Sequence, residues 1–119
     1  MAKTAGNSRM TLAIALNYGA RTELVLAARK LAARAVAGEI VPDAIDDAML
    51  DASLDTSDLP PLDLLIRTSG ECRLSNFLLW QAAYAELLFV PTLWPDFDGD
   101  SLRAALAEFA SRERRYGGL

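Results

Sequence analysis

The chain has no histidine and only one cysteine among its 119 residues. Without histidine, imidazole-based acid–base catalysis and histidine metal sites are excluded. The lone thiol, Cys72, cannot form an internal disulfide, which fits a reducing cytosol. The longest apolar runs are far shorter than a membrane span, and residues 1–10 lack the apolar core of a signal peptide. We therefore expect neither a transmembrane segment nor a secretory leader.

Strong positive charge is also missing. The formal net charge is −4, and 52% of the residues are apolar. This balance disfavours intrinsic disorder and a general nucleic-acid-binding surface. A length of 119 residues allows one domain with a modest core.

The hydrophobic pattern alternates between strand-length runs and helical periodicity. Strands are predicted at residues 10–16, 62–66 and 87–93, and helices over 21–37, from Pro42 to about Leu50, after Ser75, and from Asp98 or Ser101 onward. The order βα(α)βαβα favours an α/β fold, a parallel sheet with flanking helices. Three strands leave both outer edges open, so the sheet is expected to be incomplete or to need a partner.

A polar turn between a predicted strand and a predicted helix is the best candidate site. Arg67 ends the strand, Arg73 lies in the turn, and Ser75 is placed as the helix N-cap. Guanidinium groups and free N–H groups at a helix start bind phosphates. The pattern therefore indicates a diphosphate site, while two surface arginines with an ordinary cap remain the alternative.

Three residues near this turn allow two interpretations each. Glu86 is embedded in an apolar stretch and is either a Mg²⁺ ligand or an exposed residue at a helix end. Glu71 either orients Arg67 or is simply solvated. Cys72 lies beside arginines that can lower a thiol pKa, but without a histidine partner a spectator role is favoured.

Spacing and charge allow predictions for two further groups of residues. Phe77, Trp80 and Tyr84 recur at helical spacing, which is typical of a packed stripe. The terminal sequence RERRYGG is either a solvated helix end or an arm that reaches the anion site of a neighbouring subunit.

Four segments together resemble a known family. They are ALNYGAR, DLLIRTSGECRLSNFLLWQAAYAELLF, LWPDF and RERRYGG, and they are similar to the C-terminal half of the cis-prenyltransferases. The resemblance implies condensation of isopentenyl diphosphate with an allylic prenyl diphosphate, with Mg²⁺, in a homodimer. It also implies a cytoplasmic enzyme, with peripheral membrane association as an option, whose lipid product carries cell-wall precursors.

The resemblance also assigns roles to residues of the central segment. Arg67, Arg73 and Ser75 would hold the diphosphate of isopentenyl diphosphate. Glu71 would support them, and Glu86 would place Mg²⁺.

Other parts of the family pattern fall elsewhere or are missing. Arg115 and Gly117 match a C-terminal signature that reaches across the dimer, and Cys72 stands where many members have histidine. The catalytic signature Asp-Gly-Asn-x-Arg-Trp does not occur, so no catalytic residue is assigned. Residues 1–119 are thus expected to be the C-terminal part of a single domain whose N-terminal part is absent, and to be inactive alone. A non-catalytic binding or assembly subunit is the alternative.

Overall fold

The longest element in the computed structural model, which describes residues 6–112, is a helix. Helix α1 spans Ala20–Val36, close to the predicted 21–37, and Gly38 follows it in the left-handed conformation (φ +74°) that ends helices. Its buried residues are Ala20, Glu23, Ala27 and Leu31, which recur every three or four positions. This spacing places them on the one face that packs inward.

The sheet consists of two parallel strands. Strand β1 (Leu64–Arg67) pairs with β2 (Glu86–Phe89), with Leu64 opposite Glu86 and Arg67 opposite Phe89. Leu65 and Leu88 are the buried residues of this pair. The parallel pairing and the surrounding helices confirm the α/β prediction, although both strands are shorter than the predicted apolar runs.

The first predicted strand is wrong. Residues 10–16 form no strand, and the side chains of Leu12, Ile14 and Leu16 are 73–83% exposed. A strand is stable only when a neighbour satisfies its backbone groups, and neither β1 nor β2 pairs with this segment. The described sheet therefore has two strands instead of three.

The predicted helix after the turn is also wrong. Ser75, Asn76 and Leu78 have positive φ angles of 50°, 64° and 47°, which an α-helix cannot contain. A single 3₁₀ turn, Gln81–Tyr84, lies between these residues and β2. Without a helix the aromatic stripe does not pack as predicted, and Tyr84 is 77% exposed.

Shorter elements connect these parts. A 3₁₀ turn at Pro42–Ala44 precedes helix α2 (Asp47–Asp51), so the predicted second helix is divided in two. A 3₁₀ turn at Trp94–Asp96 leads to helix α3 (Gly99–Ser111), which Asp98 caps as predicted. Within residues 6–112, no helix combines the length and apolarity that crossing a bilayer requires. The described apolar core is small: Ala20, Ala27, Leu31, Leu54, Leu65, Leu88 and Ala105.

Candidate functional site

A cavity of about 590 Å³ opens at the carboxyl end of β1. Open α/β sheets place ligands at this edge. The cavity brings together three residues predicted from the sequence: Arg67, Glu71 and Arg73. The other lining residues are Leu65, Ile66, Thr68, Ser69, Leu74, Phe77 and Trp94.

The loop that follows Arg67 is fixed to the chain beyond β2. The Ser69 and Gly70 amides donate to the carbonyls of Thr92 and Val90 at 2.8 and 2.9 Å. Both donors have positive φ angles, 67° and 65°. These two N–H groups are therefore already occupied and do not point to an anion in the cavity.

The two arginines of the cavity differ in their surroundings. The Nε of Arg67 is buried and has no hydrogen-bond partner among residues 6–112. Arg73 forms an ion pair with Glu71, and the two side chains are 64% and 36% exposed. A buried donor without an acceptor is unfavourable, so Arg67 leaves a place for a negatively charged or carbonyl oxygen.

Ser75 does not take the predicted position. Its φ of +50° is incompatible with a helix N-cap, no helix begins there, and Ser75 does not line the cavity. The prediction assumed a helical continuation that the left-handed residues prevent. Its proposed contact with a diphosphate stays a prediction.

Glu86 lies at the other end of the sheet. Because Glu86 pairs with Leu64 while Arg67 pairs with Phe89, Glu86 and Arg67 are offset by three positions, roughly 10 Å along the strands. It begins β2 instead of lying on a helix. Its Oε2 accepts a 2.9 Å bond from Arg112 Nη1, which also donates to the Leu87 carbonyl at 3.1 Å.

The described residues do not by themselves fit a magnesium site. No group of three or more Asp, Glu, Cys or His side chains converges within residues 6–112. Glu86 offers one carboxylate, and the Arg112 guanidinium already occupies it. Mg²⁺ there would need further oxygen ligands and the displacement of Arg112.

Three other predicted residues lie away from the cavity or outside the described part. Cys72 is an exposed free thiol whose Sγ donates to the Gly70 carbonyl at 3.8 Å. Arg115 and Gly117 lie outside the described residues, so their predicted reach across a dimer stays a prediction.

The sequence interpretation missed a buried carboxylate. Glu23 is only 3% exposed and accepts hydrogen bonds from Tyr18 Oη, from the Asp55 amide at 3.0 Å, and from Gln81 Nε2 at 3.2 Å. Burial, together with the bond to Glu23, raises the pKa of Tyr18. The spacing of Glu23 with Ala20 and Ala27 was the available signal for an inward carboxylate.

Asn76 was also missed, although it lies inside the central segment. Its carbonyl accepts from the Ala20 amide and its Oδ1 from the Arg21 amide, both at 2.9 Å. Asn76 thus caps α1, whose own N-cap residue, Gly19, has no side chain to do so. Nothing local in the sequence indicates this bond, because 55 positions separate the two residues.

Comparison with known proteins decides the family. A family model described as "Putative undecaprenyl diphosphate synthase" matches residues 1–117. The chain belongs to the undecaprenyl diphosphate synthase family.

Relatives in this family include an isoprenyl transferase of Zymomonas mobilis. It is 62% identical over 116 residues, which are 98% of this chain and 47% of the relative. The ditrans,polycis-undecaprenyl-diphosphate synthase of Escherichia coli K12 is 54% identical over 117 residues, 98% of this chain and 46% of that protein. The chain therefore spans about half the length of the curated relatives it matches.

Solved structures extend the comparison to the fold of the undecaprenyl diphosphate synthase family. Lavandulyl diphosphate synthase from Lavandula x intermedia, crystallised with dimethylallyl diphosphate, aligns with a TM-score of 0.81 at 45% identity. The match covers 86% of this chain and 44% of that one. The family comprises cis-prenyltransferases, so the resemblance seen in the sequence is confirmed.

Proposed function

We propose that this chain carries the isopentenyl-diphosphate-binding part of a cis-prenyltransferase. The complete enzyme would condense isopentenyl diphosphate with an allylic prenyl diphosphate to extend a cis-polyprenyl diphosphate. Family membership supports the reaction class. The position and charge of the cavity support the role of this chain, and residues 1–119 would form the C-terminal part of the domain.

One observation carries the proposal. In the part of the chain that the structure describes, Arg67 Nε is buried without an acceptor at the carboxyl edge of the sheet, in a cavity that Arg73 also lines. Two guanidinium groups present planar, charged donors that match phosphate oxygens. Apolar lining from Leu65, Leu74 and Phe77 would suit the short hydrocarbon part of the same substrate.

The described residues bind and orient the substrate, and none of them is assigned a bond-making step. Arg67 would hold one phosphate in the depth of the cavity. Arg73 would hold the other, after exchanging its contact with Glu71 for the substrate. Ser75, and Arg115 and Gly117 from a partner subunit, would add contacts as the family resemblance implies, and Mg²⁺ at Glu86 is a separate prediction.

Isothermal titration calorimetry of the full chain with isopentenyl diphosphate tests the proposal. We expect Arg73→Ala to lose roughly 1.5–3 kcal/mol of binding free energy, because a charge-assisted contact disappears. Arg103→Ala is the matched control, since Arg103 is an exposed arginine paired with Asp100 on α3 and lies outside the cavity. Absence of binding by the unmodified chain, or equal losses in both variants, contradicts the proposal.

An assembly role is the second candidate function, and the exposed segment 10–16 favours it. Met10, Leu12, Ile14 and Leu16 expose 73–83% of their surface, an unusual concentration of apolar area. We propose that a second copy of the chain covers this segment, and the homodimer that the family resemblance implies would supply that copy. Analytical ultracentrifugation should show a dimer that Ile14→Asp weakens, whereas a strict monomer at high concentration contradicts this role.

A further inference from the structure

We propose that Asn76 is a positioning residue that holds the diphosphate-binding loop in place by capping the remote helix α1. The inference rests on the proposed function, because it concerns how the same cavity is kept in shape. Asn76 itself does not line the cavity with Arg67 and Arg73. It acts on them through the backbone that leads from Arg73 to Phe77.

The backbone around Asn76 needs external support. Ser75 and Asn76 are consecutive left-handed residues, with φ angles of 50° and 64°. L-residues adopt this conformation unfavourably, and asparagine is among the few that tolerate it. Such a conformation persists where surrounding contacts over-determine it.

Helix α1 supplies those contacts. Two of its first amides, on Ala20 and Arg21, donate to the carbonyl and the Oδ1 of Asn76 at 2.9 Å each. These amides have no acceptor within the helix. The two bonds therefore give the helix donors a partner and hold Asn76 in place at the same time. The neighbouring Phe77, which lines the cavity, packs edge-on against Tyr18 with ring centroids 5.6 Å apart.

Gly19 fits the same interpretation. A Cβ at this position would lie 2.8 Å from Asn76 Nδ2. The φ of Gly19 is −151°, an extended value that any residue adopts, so the backbone conformation does not require glycine. The absent side chain therefore makes room for Asn76.

Two substitutions separate the side-chain cap from the backbone conformation. Asn76→Gly keeps the positive φ but removes the Oδ1 acceptor, whereas Asn76→Asp keeps the acceptor and tolerates the conformation. Losing the hydrogen bond from Arg21 to the Asn76 side chain shifts the balance between the held and the released loop by roughly two- to tenfold. We expect the dissociation constant for isopentenyl diphosphate to rise by up to about that factor in Asn76→Gly. Asn76→Asp should restore most of the affinity.

Gly19→Ala tests the contact between Gly19 and Asn76 by changing Gly19 instead of Asn76. We expect it to weaken isopentenyl diphosphate binding severalfold, although Gly19 lies outside the cavity. In the double variant with Asn76→Gly the clashing Nδ2 is gone, so the second substitution should add little. Ala28→Gly is the control, because it weakens α1 at an exposed position without touching Asn76 and should leave the affinity unchanged.

The outcomes distinguish this inference from the proposed function. If the unmodified chain binds no isopentenyl diphosphate, both are overturned. If it binds and Arg73→Ala weakens binding, but Asn76→Gly and Gly19→Ala bind as tightly as the unmodified chain, only the positioning role is overturned. An equal loss in Ala28→Gly would also overturn it, since general weakening of α1 would then explain the effect. Circular dichroism of each variant verifies the helix content, and Gly19→Ala keeps the test decisive should Asn76→Gly fail to fold.

Discussion

The arginines at the two ends of the two-stranded sheet differ in their hydrogen-bond partners. At the carboxyl end, Arg67 lines a cavity, and its buried Nε has no acceptor among residues 6–112. At the amino end, Arg112 donates to Glu86, Glu108 and the Leu87 carbonyl. The hydrogen bonds to Glu108 and Glu86 raise the pKa of Arg112. The carboxyl end is therefore open, because Arg67 can still receive an added anion. The amino end is closed, because carboxylates of the chain already pair with Arg112.

This difference shows that arginine content alone does not identify a binding site. Both arginines lie beside the same short sheet, and each end has a nearby carboxylate. Glu71 lies at the carboxyl end and Glu86 at the amino end. The difference is whether a nearby carboxylate already forms a hydrogen bond with the guanidinium of that arginine. Three substitutions change that condition at one end or the other, and a fourth changes the cap of the helix that precedes Arg112.

Arg67→Ala should have the largest effect. It removes the donor that the cavity leaves unpartnered, so we expect a loss on the order of a hundredfold in affinity for isopentenyl diphosphate. Calorimetry measures the loss, with Arg103→Ala as the charge-matched control. A loss below about threefold would mean that the open end of the sheet does not receive the diphosphate.

Arg112→Ala tests the closed end. Removing the guanidinium frees the Glu86 carboxylate, so the affinity for Mn²⁺, used as a spectroscopic substitute for Mg²⁺, should rise severalfold. Electron paramagnetic resonance of free Mn²⁺ gives the affinity, and the double variant Arg112→Ala with Glu86→Gln should lose the gain. An unchanged Mn²⁺ affinity would remove Glu86 from the list of metal ligands.

Glu71→Gln should leave the Arg73 guanidinium more accessible to a diphosphate at the open end. Glu71 competes with a diphosphate for Arg73, and the pair is exposed, so its removal should tighten isopentenyl diphosphate binding by roughly two- to fivefold. The gain should shrink at high ionic strength. Weaker binding would indicate that Glu71 orients Arg73 instead of competing for it.

Asp98→Asn should have the smallest effect, on the helix that brings Arg112 to the closed end. Bonds from the Ser101 backbone hold the pKa of Asp98 below its usual value of 3.8. The stabilisation is therefore present above that value and is lost as the pH falls through the lower pKa of the folded state. Thermal unfolding followed between pH 5 and pH 2 should show a flatter acid loss in Asp98→Asn than in the unmodified chain.

Features with a local cause could be predicted from the sequence. The periodicity of α1, the cap at Asp98 and the short apolar runs around Leu65 and Leu88 depend on neighbours along the chain. The approach of Arg67, Glu71 and Arg73 followed from their position after a strand. For these features the physical reason lies within a few residues.

Features with a remote cause could not be predicted. The segment 75–84 has helical composition, but the left-handed Asn76 is supported by amides 55 and 56 positions earlier in the chain. The apolar residues 10–16 have strand composition, but pairing requires a neighbour that composition does not specify. Ser75 and Glu86 were therefore assigned to a helix that tertiary contacts replace.

If Asn76 positions the cavity loop, its bonds to α1 should also affect when the cavity forms during folding. They close a segment of 55 residues, whereas β1 and β2 pair across 22. Distant contacts carry a larger loop-closure entropy, so we expect the sheet pairing to precede the completion of the cavity. The amide hydrogens of Ala20 and Arg21 become protected from solvent exchange only when Asn76 is in place. Their exchange rates therefore measure how often the contact between α1 and Asn76 opens.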